Sequence, residues 1–276
     1  MVKALAKTLY LAALRRYAFV RLRTVKQRPH KLPFPLVVSL TSYSKRFETL
    51  APTLATLLSQ EVKADATVLW IAPADIDALP AEVRALEAHG LTIRTTPDLR
   101  SYKKIIPALE AYGDAAIVTA DDDVYYPADW LGYLVDDWRA DRREILCTRA
   151  HRMKRQGDGL APYVEWEHQV ADLGDSPNLF GTGIGGILYP PGIFHPDVTR
   201  VDRLLELCPT TDDVWLNWMA RLSGATVRRV GPRRRFREWP GSQEVALMNV
   251  NFVNGSNNDR QIAQIVEAYG VPENVR

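Results

Sequence analysis

The 276-residue chain has only two cysteines, Cys147 and Cys208. Two thiols build neither a disulfide framework nor a zinc cluster, so a reducing compartment and two buried thiols are expected. Acidic residues are missing from the opening: none precedes Glu48, whereas eleven Lys and Arg do. The other 229 residues carry 24 basic and 33 acidic side chains, so the net charge of +2 hides a basic opening on an acidic body. Such an opening suits an anionic surface, while the acidic remainder argues against nucleic acid as a partner. Within the opening the longest uncharged run, residues 8–14, is far too short to span a bilayer. It also lacks the apolar core and small-residue cleavage site of a secretory signal. The sequence has no internal repeat and no low-complexity stretch. A cytoplasmic protein, peripheral at the inner membrane face, is the expected location.

What is there reads as a soluble globular chain, 46% hydrophobic and 25% charged, long enough for one large domain or two small ones. The opening, "MVKALAKTLYLAALRRYAFVRLRTVKQRPHK", interleaves basic and apolar helix formers. Two readings fit it: a helix lying on an anionic membrane surface, or a basic helix packed on its own domain. Its Arg-rich, acid-free character also matches a transit peptide, which nothing else in the chain supports.

From Pro35 onward, strand and helix patterns alternate. "PLVVSLTSY" reads as a buried strand by its β-branched and apolar run, and "ATVLWIA", "LTIRTT" and "AAIVTA" read as the second, third and fourth strands. Between them "RFETLAPTLATLLSQ", "PAEVRALEAHG" and "KKIIPALEAYG" have helical apolar spacing. This order predicts an α/β fold with a mostly parallel sheet flanked by helices and a ligand outside the carboxyl ends of its strands. Later, "WLGYLVDDWRA" reads as a helix, "GGILYPPGIF" as strand then turn, and "TTDDVWLNWMARLSG" as a capped helix.

Directly after the fourth strand stands "DDD", Asp121, Asp122 and Asp123. Adjacent carboxylates repel and need a counter-charge. A hard dication, Mg²⁺ or Mn²⁺, would supply one through oxygen ligands and could bridge a diphosphate. A solvated acidic turn is the plainer alternative.

"AAIVTADDDVYYPADW" resembles the strand and D-x-D motif of GT-A-fold glycosyltransferases, which use nucleotide-sugar donors. Together with the strand order and the later acidic helix, it is most similar to exostosin-like and bacterial polysaccharide transferases, over roughly Pro35 to Gly231. The basic amphipathic segment, residues 1–32, lies outside the resemblance, and residues 33–276 are expected to form a single GT-A-like domain. Residues 33–130 would be its nucleotide-binding half and 131–276 its acceptor-side half. The resemblance implies a UDP-sugar donor, a Mn²⁺ or Mg²⁺ cofactor, and a glycan or lipid-linked glycan acceptor in surface polysaccharide synthesis.

Residue by residue, it places Asp121 near the ribose and the metal, Asp122 near the donor sugar, and Asp123 as a direct metal ligand. In "SLTSYSKR", Tyr43 would stack on the base, with Thr41 and Arg46 bonding base or phosphates. In "PDLRSYKK", Arg100, Lys103 and Lys104 are candidates for the donor phosphates, and Asp98 for base or ribose. In "CPTTDDVWLNW", Asp213 is the first candidate to face the acceptor and Asp212 the second. A carboxylate there can accept or orient a hydroxyl proton, or it can simply cap the helix. The resemblance leans towards a retaining hexosyl- or N-acetylhexosaminyltransferase.

Other signals are weaker. "GTGIGG" matches a dinucleotide pattern but leads into a strand instead of a helix. It reads instead as a wall at Gly185 and Gly186 letting a sugar approach the backbone, or as a tight turn. Six arginines lie between Arg228 and Arg237, suited to phosphate or to solvent. His151, His168 and His195 lack zinc-site spacing. No histidine follows His195, where many GT-A enzymes place a further metal ligand; Asn254, Asn257 and Asp259 stand there instead. "YVEWEHQ" suits sugar stacking or a core-facing strand. Two rival functions are a haloacid-dehalogenase-type phosphotransferase, whose motif departs here at Tyr125, and a non-enzymatic module binding anionic surfaces.

Overall fold

The computed structural model describes residues 2–157, 159–239 and 257–275. The N-terminal helix α1 covers Val2–Thr24. Four short apolar runs then become the parallel strands β1 (Leu36–Thr41), β2 (Ala66–Ile71), β3 (Leu91–Thr95) and β4 (Ala116–Thr119). Strand β1 lies at the centre, pairing with β2 on one side and β4 on the other, and β3 extends the sheet beyond β2. Helices α2 (Phe47–Leu58) and α3 (Ile106–Ala111) lie in the crossovers.

The second half adds β5 (Val124–Tyr125), α4 (Trp130–Asp136), β6 (Glu144–Cys147), β7 (Ala150–Arg152), β8 (Leu179–Gly181) and β9 (Ile187–Tyr189). It continues with α5 (Val201–Leu207), α6 (Asp212–Leu222), β10 (Thr226–Arg229), β11 (Arg237–Glu238) and α7 (Asn257–Tyr269). The main sheet has eight strands in the order β3-β2-β1-β4-β9-β6-β10 followed by the two-residue strand Gly174–Asp175. Strand β9 runs antiparallel to both β4 and β6, while β6 and β10 pair in parallel. The fold is thus α/β, with a mostly parallel sheet flanked by helices, and is consistent with a GT-A-like fold.

Alternating strand residues feed two core layers, as a two-residue period requires. Val37, Val68 and Ile117 face a layer completed by Ile106, Trp215, Trp218 and Ile265. Leu36, Val38, Leu69 and Val118 face a layer completed by Leu50, Leu54, Trp130 and Leu134. Both faces being covered explains why these strands read as continuous apolar runs.

Several elements differ from the sequence reading. "PAEVRALEAHG" winds as one α-turn, Ala81–Arg84, and then a tighter helix that Gly90 ends at φ 96°. The possible strand in "YVEWEHQ" is instead a turn, Tyr163–Glu165, with Trp166 buried behind it. The arginine run does not form one basic loop. Arg228 and Arg229 lie in the buried strand β10, Arg228 paired with buried Glu144 at 2.8 Å. Arg234 chelates Asp129, and Arg237 sits 4.3 Å from the ring centroid of Tyr10 in α1.

Helix α1 docks on the body through Leu11 and Ala18, with Phe19 and Leu22 against the α2 layer. Arg15 pairs with Glu82 at 3.0 Å and Arg21 donates to the Ser59 carbonyl. Its outer side leaves Leu9, Tyr10, Tyr17 and Val20 exposed, beside exposed Arg16 and Arg23. Among the described residues no helix is long and apolar enough to cross a membrane.

Candidate active site

Strand β4 ends at Thr119 because the next residues turn away from the ladder. Ala120 makes a last bond to Ser39, and the Asp121 N–H donates to the Tyr126 hydroxyl at 2.8 Å. The three aspartates therefore stand at the carboxyl rim, beside the loop that follows β1. That loop supplies Ser42 and Arg46. The Ser42 hydroxyl donates to Asp122 Oδ2 at 2.6 Å, and Arg46 reaches Asp122 at 2.6 Å and Asp123 at 3.3 Å.

The second cation is Lys104, 7% exposed, delivered by the turn before α3. Its ammonium lies 2.9 Å from Asp121 and 3.1 Å from Asp212. One lysine thereby ties the aspartate triplet to the first turn of α6. Next to Asp212, Asp213 accepts the Gly183 N–H with both carboxylate oxygens at 3.0 Å. Gly183 packs closely here: a Cβ would lie 3.0 Å from Asp213 Oδ1 and 3.3 Å from Lys104 Nζ, so either side chain would have to give by a few tenths of an ångström.

These contacts answer the repulsion among the aspartates only in part. Burial works against the charge of Lys104, yet Asp121, Asp212 and Asp213 hold its pKa well above the usual lysine value. Burial opposes Arg46 as well, and Asp122 with Asp123 keeps it raised. Burial pushes Asp122 up despite Arg46 and Ser42. Asp123 is pushed up to about 7 by burial and then by Asp122, against the pull of Arg46. Asp213 is pushed up to about 7 by burial and then by Asp212, with Lys104 opposing. Two carboxylates thus sit at the edge of ionisation at neutral pH, which is where proton transfer and cation capture operate.

Among the described residues no group of three or more His, Cys, Asp or Glu side chains is gathered to cage a metal. Mg²⁺-type sites commonly use one or two carboxylates and complete the shell with water and substrate phosphate. The hard oxygens of Asp121 and Asp123, with Asp123 short of positive charge, fit that pattern.

The remaining candidates divide. Thr41 donates its hydroxyl to the Trp70 carbonyl, and Tyr43 stands half-buried and extended at the rim. Lys103 is paired with Asp98 at 2.7 Å, and Arg100 reaches the Pro209 carbonyl, so these three form a separate group. The Gly185 carbonyl accepts from Trp130 Nε1 and Thr148 Oγ1, and Gly186, at φ 78°, lies against Trp130. His151 is buried among Tyr163 and His168, its pKa pushed down to about 3 by burial and then by Arg149. Asn257 donates to Thr210, Asp259 accepts the Tyr163 N–H, and Asn254 lies outside the described residues.

Sequence reasoning did not single out Ser42, Tyr126, Gly183, Arg149 or Glu238. Ser42 stood in a stretch already quoted, and Gly183 in the glycine pattern. Glu238, whose charge acts on Asp123, comes from β11 next to β5 and carries no motif. Grooves of about 820 Å³ beside β3 and about 390 Å³ beside α1 lie away from this cluster.

No family model matches the chain, and no curated protein matches it. Similar solved structures include GalNAc-T7 with UDP, GalNAc and Mn²⁺, at 13% identity and TM-score 0.45, covering 81% of this chain and 47% of that one. Glucosyl-3-phosphoglycerate synthase from Mycobacterium tuberculosis with Mn²⁺, UDP and phosphoglyceric acid matches at 14% identity and TM-score 0.46, covering 87% and 80%. A putative glucose-1-phosphate thymidylyltransferase from Bacillus anthracis matches at 12% identity and TM-score 0.46, covering 82% and 95%. The chain spans about half the length of the GalNAc-T7 chain. Overlaps this loose carry no residue role and no substrate from one protein to another.

Proposed function

We propose that the chain is a metal-dependent glycosyltransferase that moves a sugar from a nucleoside diphosphate sugar, UDP-linked, to a hydroxyl of a glycan or glycolipid in surface polysaccharide synthesis. The observation that carries this reading is Lys104 joining Asp121 of the aspartate rim to Asp212 at the start of α6, next to Asp213. It ties the strand end that carries Asp123 to the helix start that carries Asp213, the two carboxyls pushed up to about 7.

Asp123, with Asp121, would hold Mn²⁺ or Mg²⁺, which supplies electrostatic stabilisation of the leaving diphosphate when bound. Arg46 and Lys104 hold the aspartates in place through ion pairs. Asp122, fixed by Ser42 and Arg46, orients the donor, with Thr41 and Tyr43 at the same rim. On the other wall Asp213, its oxygens anchored by the Gly183 N–H, is set to take or orient the acceptor proton in an inverting reaction. In a retaining course, the one we favour, it faces the positive charge that develops on the sugar. The anomeric configuration of the first product decides between them.

A thermal-shift panel of nucleoside diphosphates and nucleotide sugars, with and without Mn²⁺, tests the reading. A ligand at a hundred times its Kd stabilises by about 2.7 kcal/mol, several degrees for a chain of this size. UDP with Mn²⁺ is expected to give that shift and either alone much less. A panel without any Mn²⁺-dependent nucleotide response sinks the proposal.

The N-terminal helix would bring the enzyme to an anionic membrane through Arg16, Arg23 and the exposed Leu9, Tyr17 and Val20. Near an anionic surface each basic residue contributes about 1 kcal/mol. The protein is therefore expected to sediment with phosphatidylglycerol vesicles, less so in high salt, and poorly as R16E/R23E. Equal sedimentation with neutral phosphatidylcholine vesicles would count against it.

A further inference from the structure

Arg149 is a cation that the mechanism above leaves unused. It follows β6 directly and lies under the turn that joins β8 to β9. Gly185 is what lets that turn settle there: a Cβ would come within 2.7 Å of Thr148 Oγ1 and 2.9 Å of Arg149 Cβ. The half-buried guanidinium makes one hydrogen bond to the protein among the described residues, Nη1 to Thr182 Oγ1 at 2.8 Å. Among the described residues no carboxylate lies within ion-pair distance of it. The groups whose charge reaches it are Tyr163, Asp213, Asp121 and Glu238, of which Asp121 and Asp213 belong to the cluster described above.

The turn sets its position relative to the reaction. Thr182 holds Arg149, and the next residue, Gly183, holds Asp213. Consecutive residues of one turn thereby fix a guanidinium and the acceptor-facing carboxylate near each other without pairing them. A guanidinium has five donors in a rigid fork that matches phosphate or carboxylate. On the donor side, Arg46 and Lys104 already accompany the aspartates. Arg149 stands instead on the wall that carries Asp213.

We propose that Arg149 binds an anionic substituent, a phosphate or a carboxylate, on the acceptor, so that the acceptor is a phosphorylated or acidic molecule and not a neutral sugar. This rests on the glycosyl-transfer reading and adds the acceptor's chemical class to it.

Calorimetric titrations of the full chain test it. UDP with Mn²⁺ is titrated first, into wild type and Arg149→Met. Glucose 6-phosphate, glucuronate and glucose are then titrated into the UDP-loaded proteins. Wild type is expected to prefer an anionic probe over glucose by about tenfold or more. Arg149→Met is expected to reduce that preference below about threefold while leaving UDP affinity within about threefold of wild type. Arg149→Lys should fall between the two, because it keeps the charge and loses the fork. If the methionine variant unfolds, the lysine variant decides by the same ratio. Equal binding of anionic and neutral probes, or a preference surviving the substitution, overturns the proposal. A loss of UDP affinity of about tenfold in Arg149→Met also overturns it, placing the guanidinium on the donor diphosphate. Failure of wild type to bind UDP in the first titration overturns the glycosyl-transfer reading and this proposal with it.

Discussion

Lys104→Met is expected to lower stability at pH 8 by about 3–5 kcal/mol, because removing one partner of a buried ion cluster leaves the other charges uncompensated. Lys104 is the ion-pair partner of both Asp121 and Asp212, and Asp212 is only 9% exposed. For a chain of this length that loss lowers Tm by roughly 6–20 °C. The deficit should shrink towards pH 5: without the lysine the nearby carboxylates ionise with more difficulty, and protonating them relieves the repulsion. Lys103→Met is the control. Its ammonium is buried but pairs with Asp98, whose side chain is 66% exposed, so the carboxylate left behind is solvated by water and the loss is expected to be smaller than at Lys104. Melting curves of both variants at pH 5 and pH 8 check this. A Lys104→Met protein as stable as Lys103→Met at pH 8 would show that the ammonium does not bind the two halves of the site together.

The contrast between those neighbours marks what the sequence could show. "RSYKK" announces phosphate-seeking cations, but only the turn Arg100–Lys104 decides that one lysine points at Asp98 and the other into the cluster. The first half of the fold was legible because β1, β2 and β4 are buried on both faces and carry apolar runs, with the half-exposed β3 at the sheet edge beside β2. The second half hid its strands behind charge. Glu144 opens β6 and Arg228 lies in β10, and the two neutralise each other inside the sheet, so "EILC" and "TVRR" look like loop or surface. Strand β9 runs against its neighbours, which no local pattern encodes. The aspartate triplet and the acidic start of α6 were both legible as site candidates. Their counter-charges were harder to read: Arg46 was noticed for a nucleotide, and its pairing with Asp122 and Asp123 across the chain emerges only in three dimensions. Nothing in "CTRAHR" distinguishes Arg149 from any other surface arginine.

Asp123→Asn is expected to pull function and stability in opposite directions. In the folded protein the Asp123 carboxyl is pushed up to about 7, by burial and by Asp122, whereas an unfolded aspartate titrates near 3.9. The folded state therefore holds this proton more tightly than the unfolded state. Its stabilising effect is complete below about pH 4 and is lost as pH rises through about 7. Asp213, also raised to about 7, acts with the same sign. Wild type without metal should accordingly be less stable at pH 8 than at pH 5, against the trend of Asp98 and Asp129, whose pKa values are lowered. Asparagine carries no charge to desolvate, and Arg46 keeps Asp122 as its partner at 2.6 Å. The variant should then be more stable than wild type at pH 8 by about 1–3 kcal/mol and lose this advantage at pH 5. Its Mn²⁺-dependent thermal shift should vanish, and transfer should fall by about two orders of magnitude or more, the scale on which charge-stabilising groups act. Unchanged Mn²⁺ response in Asp123→Asn would remove Asp123 as the metal ligand, and lower stability at pH 8 would show that its negative charge supports the fold. The expected pair of results, a firmer fold and a silent enzyme, is what a carboxylate held ready for a cation should give.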